Sequence, residues 1–259
     1  MRRFLVLVCL CFAALSAFAQ TPAQPKMTWV RYYHVERGKN AEFMRLAHDT
    51  FKPVLDDLRK NRKIVDWGLA VPITRNGDPW THVLYIGMPD WSGVEALDQA
   101  IDKAQMAMTP EAARRTEELS LSIAESRDVI LRHLVQSTTE SKAKPKYIVA
   151  DTHRIKPGRE GDALQLFNEW AKPLFTDLAA SGDVDMWGFS AHGVAVGVTN
   201  AGDWTHMVWY FLHDLGAMEA VIGANERVEP RTMQGYWVRL RDLSDVSVRR
   251  EQVWRIVEP

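Results

Sequence analysis

At 259 residues, 46% hydrophobic and 25% charged, the chain is long enough for two domains with a core in each. Its 32 Lys and Arg against 33 Asp and Glu leave a net charge of −1, and no basic cluster interleaves with aromatic residues, so nucleic acid is a poor partner. Both cysteines, Cys9 and Cys11, fall in the first twenty residues, so disulfides and thiol catalysis are excluded from everything beyond them.

Arg2-Arg3, an apolar run from Phe4 to Ala14, and Ala17-Phe18-Ala19 have the layout of a secretory signal peptide over 1–19, cleaved after Ala19. The run is too short for a membrane anchor, and no later stretch is long and apolar enough to span a bilayer. Cys11 follows no convincing lipobox. The expected location is periplasmic or secreted.

Met27–Val35 reads as a strand and ends at Arg37-Gly38. A helix over about 40–59 follows, with Phe43, Leu46, Ala47, Phe51, Val54, Leu55 and Leu58 on one face and a kink expected at Lys52-Pro53. Strands over 64–73 and 80–88 flank a turn at Asn76-Gly77-Asp78-Pro79. Ser92 and Glu95 form an apparent capping box for a second helix, and Thr109-Pro110 restarts it. Ser126–Val135 closes this βαββαβ unit, 27–136, and the Ser-, Thr- and Lys-rich stretch 137–145 is a linker.

The second unit, 146–259, repeats the order: strand 147–155, helix 160–180, strand 184–198, strand 204–212, helical 215–241 and strand 246–257. Glycines at 188, 193 and 197 predict a bulge or a break near Ala191-His192-Gly193. At an offset of 120, Gly38 falls on Gly158, Leu46 on Leu166, Lys52-Pro53 on Lys172-Pro173 and Trp67-Gly68 on Trp187-Gly188. At 124, Trp80-Thr81-His82 falls on Trp204-Thr205-His206 and Asp90 on Asp214. The four-residue change sits at a hairpin tip, where length changes concentrate. The chain is a tandem duplication.

Two βαββαβ units, each with Gly before its first helix and Trp-Gly opening its second strand, resemble a duplicated ferredoxin-like fold. More narrowly, the chain resembles the dimeric α/β-barrel superfamily. That likeness implies an α+β fold of two units packed sheet to sheet as a pseudo-dimer, either monomeric or a homo-oligomer. It also implies chemistry of the kind the superfamily holds: cofactor-free monooxygenases, with haem enzymes related to chlorite dismutase as the alternative. No family catalytic motif transfers residue by residue.

A cavity between the facing sheets is the expected site, taking a small apolar or aromatic molecule without a cofactor. Alternation places Trp80, His82, Leu84 and Ile86 on one face of their strand and Thr81, Val83 and Tyr85 on the other. His82 and His206 are candidate acid–base groups, the alternative being hydrogen-bonded fixtures kept because both copies fold alike. His153 is a third candidate; with Asp151 it replaces Tyr33 and Arg31 of the first copy. Trp80, Trp204, Tyr33, Trp67, Trp187 and Tyr210 are the candidate ligand-binding aromatics. No histidine pair has the spacing of a zinc site, and nucleophile elbows, phosphate loops and dinucleotide fingerprints are absent. A non-catalytic module for oligomerisation or envelope binding is the competing reading.

Overall fold

The computed structural model describes residues 24–74, 78–138, 144–194, 204–227 and 230–258. The expected signal peptide, the expected turns at Asn76-Gly77 and Asn200–Asp203, and most of the expected linker lie outside the described residues.

In the first unit the elements are β1 (Met27–Val35), α1 (Asn40–Lys60), β2 (Asp66–Pro72), β3 (His82–Met88), α2 (Trp91–Met106), α3 (Pro110–Leu121) and β4 (Ile123–Gln136). The second has β5 (Tyr147–Ile155), α4 (Glu160–Leu166), a π-helical turn (Phe167–Ala171), α5 (Lys172–Ser181), β6 (Met186–Val194), β7 (His206–Leu212), α6 (Ala217–Arg227), α7 (Pro230–Leu243) and β8 (Ser244–Glu258). Gly38 and Gly158 hold φ of +87° and +80° at the two helix entries, a left-handed turn that side chains disfavour.

Every strand pair is antiparallel, in the closed order β1-β3-β2-β8-β5-β7-β6-β4. Each unit contributes four consecutive strands, and the seams between units are β2 with β8 and β4 with β6. Closure leaves neither sheet with an open edge. The expected bulge is present: Leu131 pairs with His192 and Ile130 with Val194, so Gly193 is the extra residue.

Alternation along the strands divides the apolar residues into three cores. One lies under the first unit's helices and includes Tyr33, Phe43, Leu46, Trp67 and Ile86. A second lies under the other unit's helices, with Phe167, Phe175, Trp187 and Tyr210. The third fills the barrel with Val30, Tyr32, Tyr85, Trp209 and Trp254. Trp-Gly serves two of these layers at once. Trp67 and Trp187 face helices, while a Cβ at Gly68 or Gly188 would lie 2.4 Å from the Tyr85 hydroxyl or the Trp209 ring inside the barrel. Any side chain there must displace a core aromatic.

Several local expectations change. The N-cap of α2 is Asp90, which accepts from the Ser92 backbone N–H at 2.8 Å, so Ser92 lies within the first turn. Thr109 does cap α3, accepting from Ala112 N–H at 3.2 Å. Pro53 sits inside an unbroken α1, and the irregularity falls in the second copy, where the π turn directly precedes Lys172-Pro173. A proline removes one helical hydrogen bond and crowds the carbonyl four residues back, here Glu169 within that turn.

Trp80 and Thr81 precede β3, and this breaks the expected alternation. His82 packs against Phe43 on the helix side at 4.5 Å between ring centroids, whereas Trp80 packs into the barrel against Tyr32 at 5.7 Å. Trp80 and His82 therefore lie on opposite faces.

Candidate functional site

The expected cavity between the sheets is mostly filled. Aromatic side chains occupy the barrel and leave about 80 Å³ beside Tyr32, Tyr85, Trp209 and Trp254. A larger space, about 310 Å³, lies on the other side of the first unit's sheet. That volume is at the small end for ligand pockets.

Its floor is β1 and β3, through Trp29, Arg31, Tyr33, Leu84 and Ile86. Its roof is α1 with Thr50, Phe51 and Val54, α2 with Leu97, Ile101 and Gln105, and α3 with Thr116 and Leu119. Trp29 and Ile101 also wall an outer depression beside Trp91 and Val94, which marks a path to the surface.

The polar end of this apolar chamber is built on the floor. Arg31 donates through Nε and Nη2 to Asp128 at 2.5 and 2.6 Å, and Trp29 Nε1 donates to the same carboxylate at 3.1 Å. The Arg31 guanidinium stacks 5.1 Å over the Trp29 ring. Hydrogen bonding to Asp128 raises the Arg31 pKa, so it stays cationic. Burial raises the Tyr33 pKa, although Arg31 beside it favours the phenolate; its hydroxyl is a donor at neutral pH. The chamber can seat a ring among aliphatic side chains and meet an oxygen with a cation and a hydroxyl.

The candidate residues from the sequence divide among three places. Tyr33 lines this chamber. Trp67 and His82 belong to the same layer but are outside its lining: Trp67 Nε1 donates to Asp56 at 3.0 Å, and His82 is opposite Tyr33 on the β1–β3 ladder. Trp187, Tyr210, His153 and His206 occupy the second unit's helix layer. There Trp187 and Tyr210 pack on Phe175, and His206 stacks on Phe189 at 5.4 Å. Trp80 and Trp204 line a polar recess at one barrel mouth.

Thr81 and Thr205 have the same local role in both copies. Thr81 Oγ1 accepts from Val35 N–H at 2.9 Å and lies 2.9 Å from His82 Nδ1. Thr205 Oγ1 accepts from Ile155 N–H at 2.9 Å and lies 2.9 Å from His206 Nδ1. Each threonine ties its strand to the first strand of its unit and orients the following histidine. Burial lowers the His206 pKa to about 4, against an opposing pull from Glu160.

In the second unit Asp151 takes both Arg249 nitrogens at 2.8–3.2 Å and lies 3.2 Å from His153 Nε2. His153 Nδ1 is buried without a hydrogen-bond partner among the described residues. The pairings with His153 and Arg249 hold the Asp151 pKa below the carboxylate norm despite a larger opposing effect of burial. Trp170 stands where the 120-residue offset places Thr50 of the first unit.

Haem does not fit the chamber by its usual ligands. The lining has no histidine or cysteine, and Tyr33, the one tyrosine, is engaged by Arg31 and held protonated by burial. Among the described residues, no group of three or more His, Cys, Asp and Glu is placed to hold a metal, and no helix is long and apolar enough to cross a membrane. Sequence reasoning missed Arg31 as a site residue, although its exchange for Asp151 between the copies was visible.

No protein-family model matches the chain, and no curated protein matches it in sequence. Solved structures do match its fold. A proposed monooxygenase from Fusobacterium nucleatum has a TM-score of 0.59 at 10% identity, covering 91% of this chain and 93% of its own. An anthrone oxidase-like protein has a TM-score of 0.55 at 12% identity, covering 92% and 94%. A dye-decolorizing peroxidase from Bacteroides thetaiotaomicron has a TM-score of 0.53 at 8% identity, also covering 92% and 94%. These similarities and the closed order of eight strands show a dimeric α/β-barrel fold, with both ferredoxin-like units in one polypeptide.

Proposed function

We propose that the chamber beneath the first unit's helices binds a small, largely apolar aromatic molecule and that the protein is a monooxygenase-like enzyme acting on it. The chamber carries this reading: about 310 Å³ of apolar space ending on Arg31 and Tyr33. A cation and a protonated hydroxyl stabilise an enolate or phenolate oxygen, which makes the neighbouring C–H acidic and the ring electron-rich. With dioxygen as oxidant, an activated CH2 becomes C=O and the second oxygen atom leaves as water. The proposed monooxygenase and the anthrone oxidase-like protein of the same fold support this class of reaction.

The test is oxygen uptake and ketone formation with an anthrone as substrate. Arg31→Ala should lower kcat/KM at least tenfold, the scale of one lost charge-assisted contact in the transition state. Failure of the wild-type protein to consume oxygen, or equal turnover by the variant, would overturn the assignment. An acid–base role for His82, the candidate adjoining Tyr33, belongs to the same proposal; the roles proposed for His206 and His153 would be exercised in the second unit's helix layer, apart from this chamber. Substitution of His82 should leave ligand binding intact and lower turnover.

Assembly is the second reading, favoured by apolar side chains exposed on the first unit's helices: Trp91 at 50%, Met106 at 87% and Leu121 at 71%. Light scattering that finds a stable oligomer, broken by Trp91→Ser, would support it. Export is likewise proposed, from the leader over 1–19; the N-terminal mass of protein recovered from the envelope checks it.

A further inference from the structure

We infer a second binding site, independent of the chamber, at one mouth of the barrel, where the two units meet. Its wall is pseudo-symmetric. Trp80 and Trp204 come from the two copies of the Trp-Thr-His triplet, and Arg127 and Arg250 occupy matching ladder positions opposite Tyr32 and Thr152. Directly opposed residues on a ladder project to the same face, so both arginines follow Tyr32 toward the barrel interior. The recess they share is about 110 Å³. An enclosed apolar cavity of ~150 Å³ takes benzene, so this smaller recess, open at the barrel mouth, seats part of a ring and leaves the rest outside.

The threonine of each triplet ties strands together and the histidine packs under a helix. The tryptophan leaves the ladder, packs one side of its ring on the barrel core and turns the other to the recess, only partly buried, in both copies. Charge gives the recess its preference. It has two guanidinium groups and one carboxylate, Asp78, which already accepts from Gln252 Nε2 at 2.8 Å. Arg250 donates to the carbonyls of Ser247 and Arg249 at 3.2 and 2.9 Å, which anchor its guanidinium at the rim. A net positive recess walled by two indoles suits a small aromatic carboxylate, its anion on the arginines and its ring on tryptophan.

Benzoate is the probe, followed by tryptophan fluorescence and calorimetry, with acetate and phenol as controls. The wild-type protein should bind benzoate saturably and more tightly than either control. Arg127→Gln with Arg250→Gln should weaken it about tenfold or more, and Trp80→Leu with Trp204→Leu should do likewise. Thr50→Trp, which fills the helix-covered chamber, should leave it unchanged. Circular dichroism verifies that each variant is folded, and single Trp80→Phe and Arg127→Lys variants replace any double variant that is not. No saturable binding, acetate binding as tight as benzoate, or full affinity in the arginine variants would overturn the site. Loss of benzoate binding in Thr50→Trp alone would reassign it to the chamber.

Discussion

Beneath its helices the first unit has Arg31, Tyr33 and Thr50 where the second has Asp151, His153 and Trp170. In the first, one cation faces a chamber and balances a carboxylate on the neighbouring strand, with both partners more than a third exposed. In the second, the acidic group has moved to β5 and Arg249 answers it from β8, with Asp151 only 18% exposed. The element order is the same, yet among the described residues the first layer opens on a chamber and the second pairs its polar residues with one another. The two copies of one unit thus put the same three positions to different uses, a polar end for a chamber in one and an ionic cluster in the other.

The largest effect should come from breaking that cluster. Arg249→Ala leaves the half-buried Asp151 with only His153 beside it and should cost about 2 kcal/mol, between the values for exposed and fully buried pairs because Asp151 is 18% and Arg249 32% exposed. Arg31→Ala, its counterpart, should cost about 1 kcal/mol or less. Urea titration measures both, and equal losses would erase the contrast between the layers.

Acid should also act through the second unit. His206 has a folded pKa of about 4 against an ordinary 6.5, so the unfolded chain binds more protons between those values. Stability therefore falls as pH drops from 6.5 toward 4; His133, lowered to about 4 by burial in the first unit, acts in the same sense, so His206→Gln should remove only part of that slope. Asp66 acts in the opposite sense. Burial raises its pKa to about 6, so its contribution is lost as pH rises from about 4 to 6, and Asp66→Asn should gain stability at pH 7 relative to pH 4. Urea midpoints across pH separate the two slopes.

Transplanting one residue sharpens the comparison most. Thr50→Trp installs the second unit's indole in the first and should reduce chamber binding at least tenfold while changing stability by about 1 kcal/mol or less, since the space already exists. Calorimetry with a chamber ligand and a thermal melt on one sample report both numbers.

Much of this architecture could be read from the residues. The 120- and 124-residue offsets carried the element order; Gly38 and Gly158 marked two helix entries because few other residues tolerate their left-handed backbone, and the run of glycines around Gly193 marked a bulge. The site was less legible. Strands with apolar side chains on both faces, such as β1, do not say which side is loosely packed. Alternation also failed at Trp80, because it holds only where the ladder continues. The exchange of Thr50 for Trp170 was the available signal for the chamber: it compares volumes rather than patterns, and volume decides where space remains.

The β2–β8 seam has a consequence for synthesis. Leu69 and Ala70 find their partners in Glu258 and Ile256, across most of the chain. As the polypeptide emerges from a ribosome or a translocation pore, the first unit waits with that edge unpaired and the barrel-side face of its sheet uncovered, a template for other chains. Contacts this distant in sequence form slowly. A holdase that recognises exposed β-edges would have its longest opportunity here, and slowing release of the final strand should raise aggregation more than slowing any helix.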